Sequence, residues 1–381
     1  MERTLRLAPP RRRLIINADD LGVSPERDAG IFECFRNGAI TSASLLVDGI
    51  DADAAAREAV ALDLPLGLHL NLSEGLRNAG TLTAPDGQLH GKHGLRAALS
   101  AGAIADTDIA AEIRRQFERF IALTGELPSH VDGHHHIHVE PQIAAVLATT
   151  MAREYGVYCV RLPRERGLGA IPADTDFEAA FQRQVTTAAD LAAPVFAAEG
   201  IYSTDAFLGQ SLMGMRLKAD VLAARLAALG EGSVELMVHP GIAAGDDRRS
   251  DFCRAAARDH ERRTLQSEDW KDALAGWTPI SYRELHRPQR DGRPTILIYG
   301  KLTPATGNAE TARRMREAWC EQANVRFRPL LPAARNETQR LQQIAAREGL
   351  DLAIGIHVRR AGAPLAAAFG QVDGSLPPLP Y

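Results

Sequence analysis

Leu14-Ile-Ile-Asn-Ala-Asp-Asp20 is a short apolar run that closes on two adjacent carboxylates. It has the length of a buried strand, and a helix signal follows at once. Ser24 can cap the helix, Pro25 fits its first turn, and Gly38 stops it, which predicts a helix over 25–38. The alternation then repeats. Ser42–Val47 reads as a second strand and 51–62 as an Ala-rich helix. Leu66-Gly-Leu-His-Leu-Asn-Leu72 alternates strictly, so Gly67, His69 and Asn71 share one face. Residues 108–124 form an amphipathic helix, and Pro141 opens another that ends near Gly156. Val157–Leu162, Tyr202–Phe207 and Val234–Val238 are further strands. Alternation over about 280 residues predicts a largely parallel sheet covered by helices. The length suits a (β/α) barrel, complete or distorted. Asp19–Asp20, His69, His134 and His239 all fall at or near the C-terminal ends of these strands. That is the active-site face of such a barrel.

The stretch Ser129-His-Val-Asp-Gly-His-His-His-Ile-His138 packs five histidines and an aspartate into ten residues. Histidine is the commonest metal ligand, so a metal-assisted reaction is the first hypothesis. Read as an extended strand, Asp132, His134, His136 and His138 share a face and His135 points away. Gly133 can break that register. The five rings cannot all bind one ion. A catalytic site uses about three protein ligands and leaves a position open. The remaining histidines then orient ligands or touch substrate. Adventitious metal binding is the noncatalytic alternative.

Each other candidate has an ordinary reading beside the functional one. Asp19-Asp20 is either one ligand and one base or a solvated pair in a strand-end turn; buried together, the two repel unless a cation or proton compensates. A lone His69 in an apolar strand is usually a core residue. His239, before Pro240 and Gly241, is either poised to donate a proton or an ordinary turn residue. Arg161 either pins Asp19 by a charge-assisted hydrogen bond or serves a structural ion pair.

Composition bounds the function classes. With 381 residues, 45% hydrophobic and 24% charged, the chain can bury a large core. A net charge of -4 gives no basic footprint for nucleic acid. The four cysteines form no C-x-x-C pair, which argues against zinc fingers and disulfide frameworks. The N-terminal stretch lacks the apolar core of a signal peptide, and no run approaches the roughly 18 apolar residues of a membrane span. A cytoplasmic setting is expected, and a homodimer is one candidate assembly. Around His286–Pro294 the pattern turns polar and Pro-containing, a linker over 287–294. Beyond it, strands at Thr295–Tyr299, Val325–Leu331 and Leu352–His357 and helices at 309–323 and 336–349 outline a small Rossmann-like βαβ unit over 295–381.

NADDLG (17–22), TSASLLVDG (41–49), GLHLNLSEG (67–75), HVDGHHHIH (130–138), VRLPRERG (160–167), TDAFLG (204–209) and ELMVHPG (235–241) together resemble the YdjC-like carbohydrate deacetylases. The resemblance runs from about residue 13 to 286, and the deacetylase barrel is expected over 1–286. It implies a distorted (β/α) barrel of the polysaccharide-deacetylase type and one divalent metal ion, Mg²⁺ or Zn²⁺. It further implies hydrolysis of N-acetyl groups on an amino sugar or N-acetylated oligosaccharide. By motif, the metal ligands are Asp20, His69 and His134, the base is Asp19 and the acid is His239. Arg161, His130, His136, His138 and Asp205 are then ligand-orienting or substrate-touching residues. Residues 295–381 resemble the N-terminal part of a GT-B glycosyltransferase, without the second domain that binds the donor sugar nucleotide. The alternatives are a noncatalytic metal- or sugar-binding module, or a sugar-transfer fusion acting through the C-terminal unit.

Overall fold

The computed structural model describes residues 12–167, 176–243 and 256–285, and three further strands at 295–300, 324–329 and 352–356. Its central strand is β1 (Arg12–Leu21), an apolar run buried from Leu14 onward. Strand β2 (Ser42–Leu45) and β3 (Leu66–Leu70) continue the sheet on one side in parallel register, with Asn17 opposite Ser42 and Ala43 opposite Leu66. On the other side β6 (Gly232–Val238) pairs parallel with β1, and β5 (Ala206–Leu208) pairs with β6. Strand β4 (Val131–Gly133) borders β3, giving the order β4-β3-β2-β1-β6-β5, and β7 (Thr278–Pro279) adds to β1. Parallel neighbours require long crossovers. Helices α1 (Pro25–Arg36) and α2 (Ala52–Ala61) supply the first two. The fold is the expected α/β class, a distorted (β/α) barrel.

Local signals work as the sequence suggests in α1. Ser24 sits in extended backbone and its hydroxyl accepts from the Arg27 N–H at 3.4 Å. Helix α3 (Gly91–Ser100) was not anticipated. Helix α4 (Asp106–Thr124) ends on Gly125 at φ 71. Helix α5 (Pro141–Thr149) passes into a wider turn over Thr150–Tyr155 before Gly156 stops it at φ 63. Helices α6 (Asp176–Ala198) and α7 (Ala219–Ala227) flank β5, while α8 (Ala256–Leu265) and α9 (Glu268–Ala273) follow β6.

Two strand expectations need correction. Val157–Leu162 contributes only single bridges, Val131 with Val160 and Cys159 with Tyr202. Pro163 just beyond has no N–H to continue a ladder. The histidine-rich segment leaves the sheet after Gly133. His134–Val139 coils into tight helical turns, with His135 and His136 in left-handed backbone at φ 54 and φ 57. The shared face predicted for Asp132, His134, His136 and His138 therefore does not exist. Gly133 makes the turn possible, because a Cβ there would lie 2.7 Å from His138 Nδ1.

The C-terminal strands β8 (Thr295–Gly300), β9 (Asn324–Pro329) and β10 (Leu352–Ile356) form their own parallel sheet, ordered β10-β8-β9. The helices expected at 309–323 and 336–349 and the linker at 287–294 lie outside the described residues.

The turn that ends β1 is held by a buried acid. Gly22 stands at φ 92, and a Cβ on Gly49 would come 2.0 Å from the Gly22 carbonyl oxygen. Asp28 Oδ1 accepts the Gly22 N–H at 2.7 Å. Burial first, and the facing Asp51 carboxylate, push the Asp28 carboxyl up to about 8. A proton on Asp28 turns that carboxyl–carboxylate contact into a hydrogen bond. An acid raised on folding costs stability as pH climbs from its unfolded value near 3.8 to about 8. Asp28→Asn keeps one acceptor and one donor and never ionises. Relative to the parent, this variant gains about 1.4 kcal/mol per pH unit across that window. Urea midpoints at mildly acidic and mildly alkaline pH check this; an unchanged difference between the two proteins refutes it.

Candidate active site

The site begins with a bulge. Ala18 pairs with Ala43 and Leu21 with Leu45, so β1 carries one extra residue between those points. Adjacent residues in a regular strand point to opposite faces. The bulge, with Asp20 at φ 67, brings both Asp19 and Asp20 within ligand range of His69. Left-handed backbone costs a non-glycine residue roughly 1–2 kcal/mol, a strain typical of functional positions.

Asp19 is clamped. Arg161 Nη1 donates to its Oδ2 at 2.6 Å and Nη2 to its Oδ1 at 2.7 Å. The Asn17 amide donates to the same Oδ1 at 2.9 Å and to Ser44 Oγ at 2.7 Å. Arg161 Nε donates to Glu235 Oε1 at 2.8 Å, and the guanidinium lies 5.7 Å from the Phe207 ring centroid. Arg161 and Glu235 have no solvent exposure. One fully buried guanidinium therefore serves two carboxylates, and both readings of Arg161 describe it. Sequence reasoning missed Glu235, although an acid inside the apolar run Val234–Val238 signals a buried cation partner.

His239 follows β6. Its Nε2 lies 3.9 Å from Asp19 Oδ2. Its backbone N–H donates to Glu261 on α8. Glu261 also accepts the Gly214 N–H at 2.6 Å and pairs with Arg258 at 3.1 Å. Arg27 Nη1 donates to the His239 carbonyl at 3.4 Å and stands 3.8 Å from Asp20 Oδ2. Burial first, then the Arg258 guanidinium, hold the His239 pKa well below the usual imidazole range; Arg27 and Arg161 add to this and Asp20 opposes it. The ring is neutral near pH 7. Arg27 and Glu261 carried no local signal in the sequence, because their partners lie far along the chain.

His69 Nε2 is 3.4 Å from Asp20 Oδ1, and both residues are buried. His130 is fully buried beneath Asp132, with Nε2 3.8 Å from Asp132 Oδ2 and Nδ1 3.0 Å from Ser129 Oγ. The rings of His136 and His138 lie 6.5 Å apart. His138 is fully buried against Gly133. Asp205 does not join the site. Its carboxylate accepts the Ser233 N–H and hydroxyl, both at 2.7 Å, at the start of β6. His239 follows the other end of that strand, roughly 20 Å away at about 3.3 Å per residue.

The sequence model described as YdjC-like protein matches residues 13–276. The chain belongs to the YdjC-like family. Among relatives of this YdjC-like chain, a carbohydrate deacetylase from Mus musculus is 42% identical over 248 residues, covering 62% of this chain and 80% of that one. A chitooligosaccharide deacetylase from Serratia marcescens is 32% identical over 243 residues, covering 63% and 86%. The crystal structure of a candidate cellobiose-phosphate cleavage protein from Enterococcus faecalis V583 superposes with a TM-score of 0.54 at 20% identity. It covers 71% of this chain and 98% of that chain, and shares the fold. The YdjC-like match ends before the C-terminal strands.

Proposed function

We propose that this protein is a divalent-metal-dependent hydrolase that removes N-acetyl groups from an amino sugar or N-acetylated oligosaccharide. The observation that carries this reading is the buried Asp20–His69 pair at 3.4 Å beside the Asp19–His239 pair at 3.9 Å. Two imidazoles and one carboxylate fit a divalent ion and leave a position open. The 3.4 Å between Asp20 Oδ1 and His69 Nε2 suits two ligands of one ion. The deacetylase names of the relatives support the reaction class.

Asp20, His69 and His134 would hold the ion. When bound, it supplies a Lewis acid that makes water more acidic and an amide carbonyl more electrophilic. Asp19 takes the proton of the attacking water at Oδ2, the oxygen that faces His239 Nε2. Arg161 fixes both Asp19 oxygens, so the base cannot rotate away. His239 is neutral at rest. It receives the proton at Nε2 and delivers it to the departing nitrogen. Without that delivery, C–N cleavage would expel an amide anion. The products are acetate and a free amine. Each acid or base role is typically worth about 10²–10⁴-fold. His130 and Asp132, 3.8 Å apart, orient the segment that carries His134, and His136 and His138 shape its turn. Residues 1–286 form the catalytic unit in this reading, joined through 287–294 to the C-terminal unit.

The test is acetate release across a panel of N-acetylated sugars, with chelator and with added divalent ions. Equal yields of acetate and free amine, lost with chelator and restored by metal, are expected. Sugar binding without acetate release from any member would favour the noncatalytic module.

A further inference from the structure

Glu74, on the loop after β3, faces His134 and His135, on the turn after β4. Glu74 Oε2 lies 3.1 Å from His134 Nε2, and Glu74 Oε1 lies 3.5 Å from His135 Nε2. The three residues offer ligand atoms within 4.8 Å of one another. Around a tetrahedral ion with bonds of about 2.0–2.2 Å, ligand atoms stand roughly 3.3–3.6 Å apart. The 3.5 Å spacing falls in that range and the 3.1 Å spacing just below it. The reaction proposed above uses neither Glu74 nor His135.

The bonding around His135 adds an independent reason. Its Nδ1 lies 3.0 Å from Ser73 Oγ. The Ser73 hydroxyl also lies 3.4 Å from Asn71 Oδ1. His135 Nε2, across the ring, faces the Glu74 carboxylate. A ring nitrogen held from behind by a hydrogen bond is also how metal-binding histidines are commonly oriented. The backbone is fixed as well. Arg96 donates to the His135 carbonyl at 2.8 Å and to Glu140 Oε1 at 2.7 Å, holding the left-handed turn.

We propose that Glu74, His134 and His135 form a second, outer site for a transition-metal ion of the zinc type. It is open to solvent, with the Glu74 side chain 57% and the His135 side chain 20% exposed. The consequence for turnover rests on the reading above at one point, the use of His134 by the inner ion. A neutral imidazole offers a single lone pair, so His134 cannot serve two ions while it keeps its ring proton. An ion in the outer site draws His134 away from Asp20 and His69. Excess zinc is therefore an inhibitor.

The experiment uses the full chain loaded with one equivalent of zinc. It is titrated with further zinc by calorimetry and assayed in parallel. A second, weaker binding event and an activity loss of at least about tenfold are expected. His135→Asn and Glu74→Gln should abolish both while the tight event and the basal turnover persist. Asparagine accepts left-handed backbone, and the retained tight event with unchanged circular dichroism reports an intact fold. A single binding event in the parent overturns the proposal, as does a second event that survives both substitutions. Asp20→Ala separates the two readings. Loss of the tight event alone leaves both standing. A tight event that survives Asp20→Ala rejects the inner ligand set, and the outer site is then judged on its own variants by calorimetry.

Discussion

Asp20→Ala is expected to abolish deacetylation and divalent-metal binding together while the chain stays folded. Asp20 supplies the sole carboxylate in the proposed ligand set, and its partners His69 and His134 are neutral imidazoles. Removing it leaves two neutral donors, a much poorer site for a dication. The fold should survive. Asp20 sits on a bulge in left-handed backbone, so the variant does not interrupt the buried core of β1 at Leu14–Ala18. Removing a carboxylate also relieves its repulsion with Asp19. The measurements are elemental analysis after dialysis, acetate release, and thermal unfolding. Full metal occupancy in a folded Asp20→Ala protein would reject the ligand assignment.

His239→Ala is expected to bind metal as the parent does and to turn over about 10²–10⁴-fold more slowly. The loss belongs in kcat, because the proton is needed only as the C–N bond breaks. It should shrink on an N-acetylated arylamine, whose weakly basic leaving group departs without full protonation. A merely structural role for His239 predicts the same loss on both substrates. Wild-type turnover, or equal deficits on alkyl and aryl leaving groups, would remove His239 from the proton path.

Much of the barrel was legible because it rests on local rules. The apolar run Leu14–Ala18, the Ser24 cap, the alternation at Leu66–Leu70 and the run ending at Val238 are each set by neighbours in the chain. Strand ends could therefore be placed, and with them Asp19, Asp20, His69 and His239. The histidine-rich segment was legible as chemistry but not as shape. Alternation alone predicted an extended strand. The actual turn depends on the contact of Gly133 with His138 and on Arg96 gripping the His135 carbonyl. Asp205 shows the reverse error: its motif placed it near the site, and its contact with Ser233 places it at the far end of β6.

The order of elements, the strand-end chemistry and the family kinship were written in the sequence, since they depend on spacing of 2.0 and about 3.6 residues and on motif. The tertiary structure decided how the carboxylates are used. A single guanidinium, Arg161, is shared between Asp19 and Glu235, residues separated by more than half the chain. Arg27 and Glu261, each from a different helix, fix the backbone of His239. Such pairings follow from burial, because a charge removed from water must find its counterion wherever the fold brings one. No local pattern encodes which distant residue that will be.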